Sequence, residues 1–476
     1  MGLRSVEEYK HGLDDDREVY VRGERVRVLE DRRFSIPLAH GGNVYELASD
    51  PRLTQLFTFD WNGETCSRFF EPIESRDALA SRSRLIEEHT RRGRGTLNLT
   101  KAVGSDALAG LRSVCFDIAA AGDAQYAERV DQFHRRCASQ DLSIAVAQTD
   151  VKGDRSLPPA KQKDPDAYVR IVDRGPDGIV VRGAKAHTTM APLVDELVVL
   201  PTRSMDPASA DYAVAFAIPP NTPGLRMVAG PLPDPDVSVF DHPVSSRNVE
   251  METLTVFDNV FVPHERVFLA GEADFAGELA LRFATFHRFT AVSYKLPMAE
   301  LLLGCALAVA EHNGIGRASH VRDKIAHIAL YGQLLRASIV AAVEAAHDLP
   351  CGLVLPDPAA TSAGKYHFAS GYHGVVQILQ DLAGGLAITA PWEADLLGAE
   401  TGPLVRKYLG GGDGSDPECR FRLFQLIRDL TASDFAGYNE VVTLHGEGSL
   451  RAQLIQLLAA TDVEGARNAV ACALEP

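Results

Sequence analysis

Between Ser75 and Ala121 apolar residues recur at spacings of three and four: Leu79, Leu85, Ile86, then Leu108, Leu111, Val114 and Cys115. That period lines one face of an α-helix, so the pattern predicts an N-terminal helical domain over residues 1–142. The texture changes near Leu142. Ile144–Ala147, Tyr168–Val172, Ile179–Val181 and Leu197–Leu200 are short, β-branched and punctuated by Gly and Pro, which reads as strands. Gly175-Pro176-Asp177-Gly178 lies between two such runs and predicts a hairpin, because its residues favour tight reversal. Ala213–Ile218 and Leu254–Val262 extend the sheet, with a Pro-rich loop over Pro219–Pro243 between them. The β-domain therefore spans 143–268.

After Glu272 Gly and Pro thin out, and helical spacing resumes through Leu301, Leu302, Cys305, Leu307 and Ala308, then Ile325, Ile328, Leu330, Leu334 and Leu335. A C-terminal helical domain is expected over 269–476, broken at Gly384-Gly385 and within Gly410–Gly414. The fold class is α+β, with sheet between two helical regions.

Composition narrows the function. The 476 residues carry a formal charge of -16, and a phosphate backbone needs clustered cations, so no nucleic-acid partner is expected. No run approaches about 20 uninterrupted apolar residues and Met1–Lys10 is polar, which predicts no membrane span and a cytoplasmic protein. Cys66, Cys115, Cys137, Cys305, Cys351, Cys419 and Cys472 are scattered and odd in number, with no Cys-x-x-Cys pair. They read as reduced thiols rather than a metal site.

Four segments carry chemistry. Thr149-Asp150-Val151-Lys152-Gly153-Asp154-Arg155-Ser156 follows a predicted strand and packs cations, hydroxyls and a Gly into a loop; Lys152 and Arg155 suit a pyrophosphate or a ring carbonyl, or the loop is a solvated charged turn. His187-Thr188-Thr189 offers consecutive hydroxyls, or is simply strand. His287 and Lys295 lie eight residues apart, on one face of a continuous helix, as an acid–base pair or as an ordinary interhelical contact. Gly446-Glu447-Gly448-Ser449 allows close backbone approach, and Ser449 suits the cap of a following helix.

Taken together, these segments with Leu157-Pro158-Pro159, Asp164-Pro165-Asp166, Asp177–Lys185 and Phe257-Asp258-Asn259-Val260-Phe261-Val262-Pro263 resemble the flavoprotein family that contains the oxygenase component of 4-hydroxyphenylacetate 3-monooxygenase and 4-hydroxybutyryl-CoA dehydratase. The resemblance runs over nearly the whole chain. It implies an acyl-CoA-dehydrogenase-like fold with a central β-barrel, a homotetramer or dimer, and FAD held by Thr149, Lys152, Gly153, Asp154, Arg155, Ser156, His187, Thr188 and Thr189, helped by Gly446, Glu447, Gly448 and Ser449.

The dehydratase branch holds a [4Fe–4S] cluster on three Cys and one His. Here the matching positions are Asn98, Ala102, Tyr294 and His287. Without thiolates no cluster and no other metal is expected. The aromatic hydroxylase branch orients a phenol with an Arg, a Tyr and a His, matched here by Arg94, Asn98 and Val146, so that set is incomplete.

The resemblance thus implies the oxygenase component of a two-component, FADH2-dependent monooxygenase acting on a small aromatic or biosynthetic intermediate. A separate reductase would supply FADH2, since no Gly-x-Gly-x-x-Gly dinucleotide fingerprint is present. Arg94, His287 and Lys295 are the expected catalytic residues; Arg94, Asn98, Val146 and Tyr294 are expected to line the substrate. The alternative is a cluster-free dehydratase, isomerase or dehydrogenase acting on an acyl-CoA-like thioester. A third reading is a non-catalytic flavin-binding protein.

Overall fold

The computed structural model describes residues 2–411 and 416–475. Part of the expected Gly410–Gly414 break lies outside them. The chain forms two compact units, one of residues 1–290 with 348–354 and the other of residues 291–347 with 355–476.

The first unit begins with α1 (Val6–Gly12), β1 (Glu18–Val21), β2 (Glu24–Val26), α2 (Ser35–Ser49), α3 (Thr54–Phe57), β3 (Thr58–Trp61) and β4 (Glu64–Ser67). Then come the three helices that the periodicity predicts, α4 (Arg76–Arg92), α5 (Leu99–Ala120) and α6 (Gln125–Ser139). The expected strands follow as β5 (Ile144–Ala147), β6 (Arg170–Arg174), β7 (Gly178–Lys185), β8 (Glu196–Val199), β9 (Val214–Ile218), β10 (Leu225–Ala229), β11 (Thr253–Pro263) and β12 (Val267–Ala270).

Two sheets result, one in the order β2-β1-β10-β11-β7-β6 and one in the order β12-β9-β8-β5. They meet at a corner, where Asp150 bridges to Lys185 and the Ala186 N–H donates to the Thr149 carbonyl. Lys185 is buried there, its ammonium donating to Asp150 at 2.7 Å, to the Gln148 carbonyl at 2.8 Å and to the Leu200 carbonyl at 2.9 Å. Every residue of β8 and β9 is buried, as expected of strands covered on both faces. The β6–β7 hairpin turns at the expected Gly175–Gly178 segment, with Gly175 N–H bonded to the Gly178 carbonyl.

Two features depart from the sequence reading. The Pro219–Pro243 segment is not all loop, because β10 lies inside it, paired antiparallel to β11 and parallel to β1. Leu225 and Met227 are its buried positions, a five-residue alternation hidden by the prolines around it. The first 142 residues are also not purely helical: β1 and β2 extend the larger sheet, and β3 and β4 form a hairpin.

Helix α7 (Ala273–His312) runs unbroken through Pro297 and belongs to the first unit up to Thr290. α5 approaches the first part of α7 at Gly110, where a Cβ would lie 3.0 Å from the Phe283 backbone; only a residue without a side chain lets the two backbones come this close.

The second unit takes the rest of α7, then α8 (Ser319–Glu344), the short strands β13 (His347–Asp348) and β14 (Val354–Leu355), α9 (Pro358–Ala383), α10 (Leu386–Thr389), α11 (Glu393–Leu397), α12 (Thr401–Leu409), α13 (Pro417–Thr431), α14 (Asp434–His445), α15 (Leu450–Ala459) and α16 (Val463–Leu474). Gly384, at φ +67°, ends α9 as expected. The rings of Tyr331, Phe368 and Tyr372 pack tilted against one another in its core. α7 and α8 each contain an 18-residue window of mean hydropathy 1.4, long and apolar enough to cross a membrane by length and composition alone, though neither is an uninterrupted apolar run; the α7 window is 61% buried within the protein.

Candidate functional site

Four groups of side chains gather the residues that the sequence singles out. The first is the loop after β5. Thr149, Lys152, Gly153, Asp154, Arg155 and Ser156 are exposed there, yet the loop is ordered from within. Asp154 accepts from the Ser156 N–H at 3.0 Å and from its hydroxyl at 2.6 Å. Gln162 braces it from below, accepting from the Asp154 N–H at 2.9 Å and donating to the carbonyls of Asp154 and Leu157.

Gly153 sits at φ +49°, and a Cβ would lie 2.6 Å from the Tyr168 hydroxyl and 2.7 Å from the Gln162 Oε1. The loop thus presents two cations beside a Gly in the left-handed region, where a side chain would be strained, suited to a phosphate or ring carbonyl approaching the backbone. At the end of β7, His187 lies exposed in the left-handed region at φ 55°. Thr188 is fully buried, and its hydroxyl oxygen accepts from the Thr255 hydroxyl at 3.0 Å. That leaves the Thr188 proton to donate elsewhere. The Thr189 hydroxyl instead donates to the Glu252 carboxylate at 2.9 Å. This donor set fits the FAD that the resemblance implies.

The second group surrounds the end of α4. Arg94 is exposed at φ 56° and its guanidinium donates to the Pro243 carbonyl. Asn98 is fully buried and is the N-cap of α5: its Oδ1 accepts from the Thr100 N–H at 2.9 Å, and its Nδ2 donates to the carbonyls of His40 and Gly41 at 2.7 and 2.9 Å. These bonds engage its amide and make Asn98 a helix cap. Ala102 is buried, with its carbonyl accepting from Arg82. Val146 is the one residue of β5 that keeps partial exposure.

Beside Asn98 sit two fully buried imidazoles. Burial pushes His40 down to about 4; burial, with the charges of His40 and Lys101 adding to it, pushes His89 down to about 3. Neither ring nitrogen of His89 has a partner.

The third group lies between α5 and α7. The Asp106 carboxylate, fully buried, accepts from Arg82 Nη2 at 2.6 Å, from the Thr290 hydroxyl at 2.9 Å and from His287 Nδ1 at 3.2 Å. Arg82 is held in turn by the carbonyls of Phe69 and Ala102 and by the Ser105 hydroxyl. The His287 ring stacks on Phe283 one turn earlier, centroids 5.3 Å apart and planes 10° from parallel. The sequence reading missed Asp106 and Arg82. A trace of Asp106 was present, since it is the one carboxylate in the otherwise apolar and small run Ala102–Leu111.

The fourth group, in the second unit, centres on Glu447, in the left-handed region at φ 54°. Its carboxylate contacts Lys295 at 3.1 Å and Lys365 at 3.2 Å and accepts from the Tyr294 hydroxyl at 2.5 Å. The Lys295 ammonium also donates to the Tyr294 oxygen at 2.6 Å. Side-chain exposures of 1%, 0% and 4% for Lys295, Lys365 and Glu447 make this a buried cluster. The sequence reading gave Glu447 to the cofactor, Lys295 to catalysis and Tyr294 to the substrate. In the structure the three are bonded to one another. Lys365, a lone cation in α9, was missed. Gly446 caps α14, Gln453 Nε2 holds the carbonyls of Glu447 and Gly448, and Ser449 caps α15 as expected.

Models of the 4-hydroxyphenylacetate 3-hydroxylase N-terminal and C-terminal regions match residues 5–269 and 276–475. The chain is 31% identical over 478 residues, 96% of each chain, to 4-hydroxybutyryl-CoA dehydratase/vinylacetyl-CoA-Delta-isomerase of Clostridium aminobutyricum. It is 32% identical over 402 residues, 84% of this chain and 82% of the relative, to the oxygenase component of 4-hydroxyphenylacetate 3-monooxygenase of Thermus thermophilus. A crystal structure of such an oxygenase component complexed with FAD superposes with a TM-score of 0.92 at 29% identity, covering 99% of this chain and 98% of the other.

Proposed function

This chain belongs to the 4-hydroxyphenylacetate 3-hydroxylase family, and from that premise we propose that it is the oxygenase component of a two-component, FADH2-dependent monooxygenase acting on a small aromatic or biosynthetic intermediate. The observation that carries this reading is the loop after β5, with two exposed cations and a Gly in the left-handed region where a side chain would be strained, in a chain whose fold is that of an FAD-bound oxygenase.

When bound, reduced FAD supplies the activation of O2 from which one oxygen atom passes to the substrate. The chain's own residues do the rest. Lys152 and Arg155 hold the anionic parts of the cofactor, and Thr188 donates its free proton to it. The buried strands β8 and β9 keep water from the sheet side. Arg94 binds an anionic group of the substrate, and His287 accepts a proton from the group to be oxygenated. A separate flavin reductase supplies the reduced cofactor. The protein works in the cytoplasm as a homotetramer or dimer; Leu330, Leu334 and Val340, exposed along α8, are surface that a second copy would cover.

The test is turnover with FAD, NADH, a flavin reductase and O2 over a panel of phenols and phenol-like carrier-bound substrates. Hydroxylated product that depends on both reductase and O2 supports the reading; product formed anaerobically, or no flavin uptake at all, defeats it.

A second reading has one observation behind it, the 31% identity to 4-hydroxybutyryl-CoA dehydratase. Asn98 and Ala102 supply no thiolate, so in this reading the chain would act without a cluster on an acyl thioester. It predicts that an acyl-CoA perturbs the FAD spectrum under anaerobic conditions.

A further inference from the structure

We propose that Asp106 and His287 form a carboxylate–imidazole dyad in which Asp106 is a positioning residue that fixes the His287 tautomer and leaves Nε2 as its working atom. The inference deepens the proposed function, and its physical part stands apart from that reading.

The argument begins with the Asp106 surroundings. Its side chain is fully buried and receives three donors, a guanidinium at 2.6 Å, a hydroxyl at 2.9 Å and an imidazole nitrogen at 3.2 Å. A buried carboxyl against a guanidinium is a carboxylate, and a carboxylate only accepts. His287 Nδ1 must therefore carry a hydrogen to make this contact.

In the neutral imidazole that places the lone pair on Nε2, which takes no hydrogen bond from a protein group among the described residues. Stacking on Phe283 fixes the ring plane. The helix pair makes the geometry reproducible: Gly110 lies one turn beyond Asp106 and meets Phe283, one turn before His287, so the antiparallel contact of α5 and α7 sets the distance. Arg82, pinned by two carbonyls and Ser105, keeps the carboxylate from turning away. Such a dyad orients a general base and stabilises its protonated form as it takes up a proton.

The experiment is long-range 1H–15N correlation of the full-length, FAD-loaded chain labelled at histidine, above the pH at which His287 titrates, with its signal assigned by loss in His287→Gln. Protonated and unprotonated ring nitrogens are resolved in this spectrum. The wild-type result decides alone: hydrogen on Nδ1 supports the dyad, and hydrogen on Nε2 overturns it.

Asp106→Asn tests the cause, because its amide can donate to Nδ1. The tautomer should then reverse; an unchanged tautomer in folded Asp106→Asn overturns the positioning role. In reductase-coupled turnover the same variant should lose roughly 10²- to 10⁴-fold in kcat, the span of general-base catalysis, with little change in KM. Failure of all turnover with the Nδ1–H tautomer present would count against the oxygenase reading and leave the dyad in place.

Discussion

Replacing Glu447 by alanine removes a carboxylate that contacts two buried ammonium groups. Lys295 and Lys365 reach it at 3.1 and 3.2 Å with side-chain exposures of 1% and 0%. Neither can swing to solvent without leaving its helix packing, so both charges stay desolvated. Breaking a buried pair from one side costs about 3–5 kcal/mol, and the bond from the Tyr294 hydroxyl to this carboxylate is lost as well. For a unit of this size each kcal/mol moves Tm by about 2–4 °C, so Glu447→Ala should lower Tm by roughly 6–20 °C.

Scanning calorimetry of the purified chain measures this directly. The companion is Lys365→Met: if the cost is an uncompensated charge, the double variant should be less destabilised than the sum of the single ones. Strict additivity, or a Glu447→Ala protein as stable as the wild type, would refute the reasoning and return Glu447 to the cofactor-binding role that the sequence suggested.

Three further outcomes are expected. Gly153→Ala forces a Cβ to within 2.6 Å of the Tyr168 hydroxyl at φ +49°, a strain of about 1–3 kcal/mol; fluorescence titration should show weaker FAD binding, and wild-type affinity would show that the loop does not hold the cofactor. Asn98→Ala should cost about 1–2 kcal/mol as a lost cap, read by urea unfolding, while leaving the KM of an accepted substrate close to wild type; a large KM change with unaltered stability would make Asn98 a substrate contact after all. His40, His89 and His134, lowered by burial to about 4, 3 and 4, bind protons in the unfolded chain first, so stability should be fully present above about pH 6.5 and fall as pH drops toward 4. The combined slope approaches about 4 kcal/mol per pH unit, and a His89→Leu variant with the same pH 7 to pH 5 loss as wild type would contradict it.

Local periodicity determined much of this protein. The helices α4 to α6, the β6–β7 hairpin, most of the strands and the long C-terminal helices were legible because a buried face imposes a period of 3.6 or 2 on the residues that cover it. The loop after β5 stood out for a different reason, since cations, hydroxyls and Gly in one short segment serve no core. β10 and the β1–β2 extension were not legible, because short segments among Pro and polar residues become strands only when a distant partner supplies the hydrogen bonds.

The identity of Glu447 as an ion-pair centre, of Asn98 as a cap and of Asp106 as the partner of His287 lay beyond any reading of neighbours along the chain. Asp106 and His287 are 181 residues apart, and Glu447 and Lys295 are 152 apart. A carboxylate looks the same in sequence whether it faces solvent, a cofactor or a buried cation; helix packing alone decides which, because only the fold determines what lies within hydrogen-bonding reach.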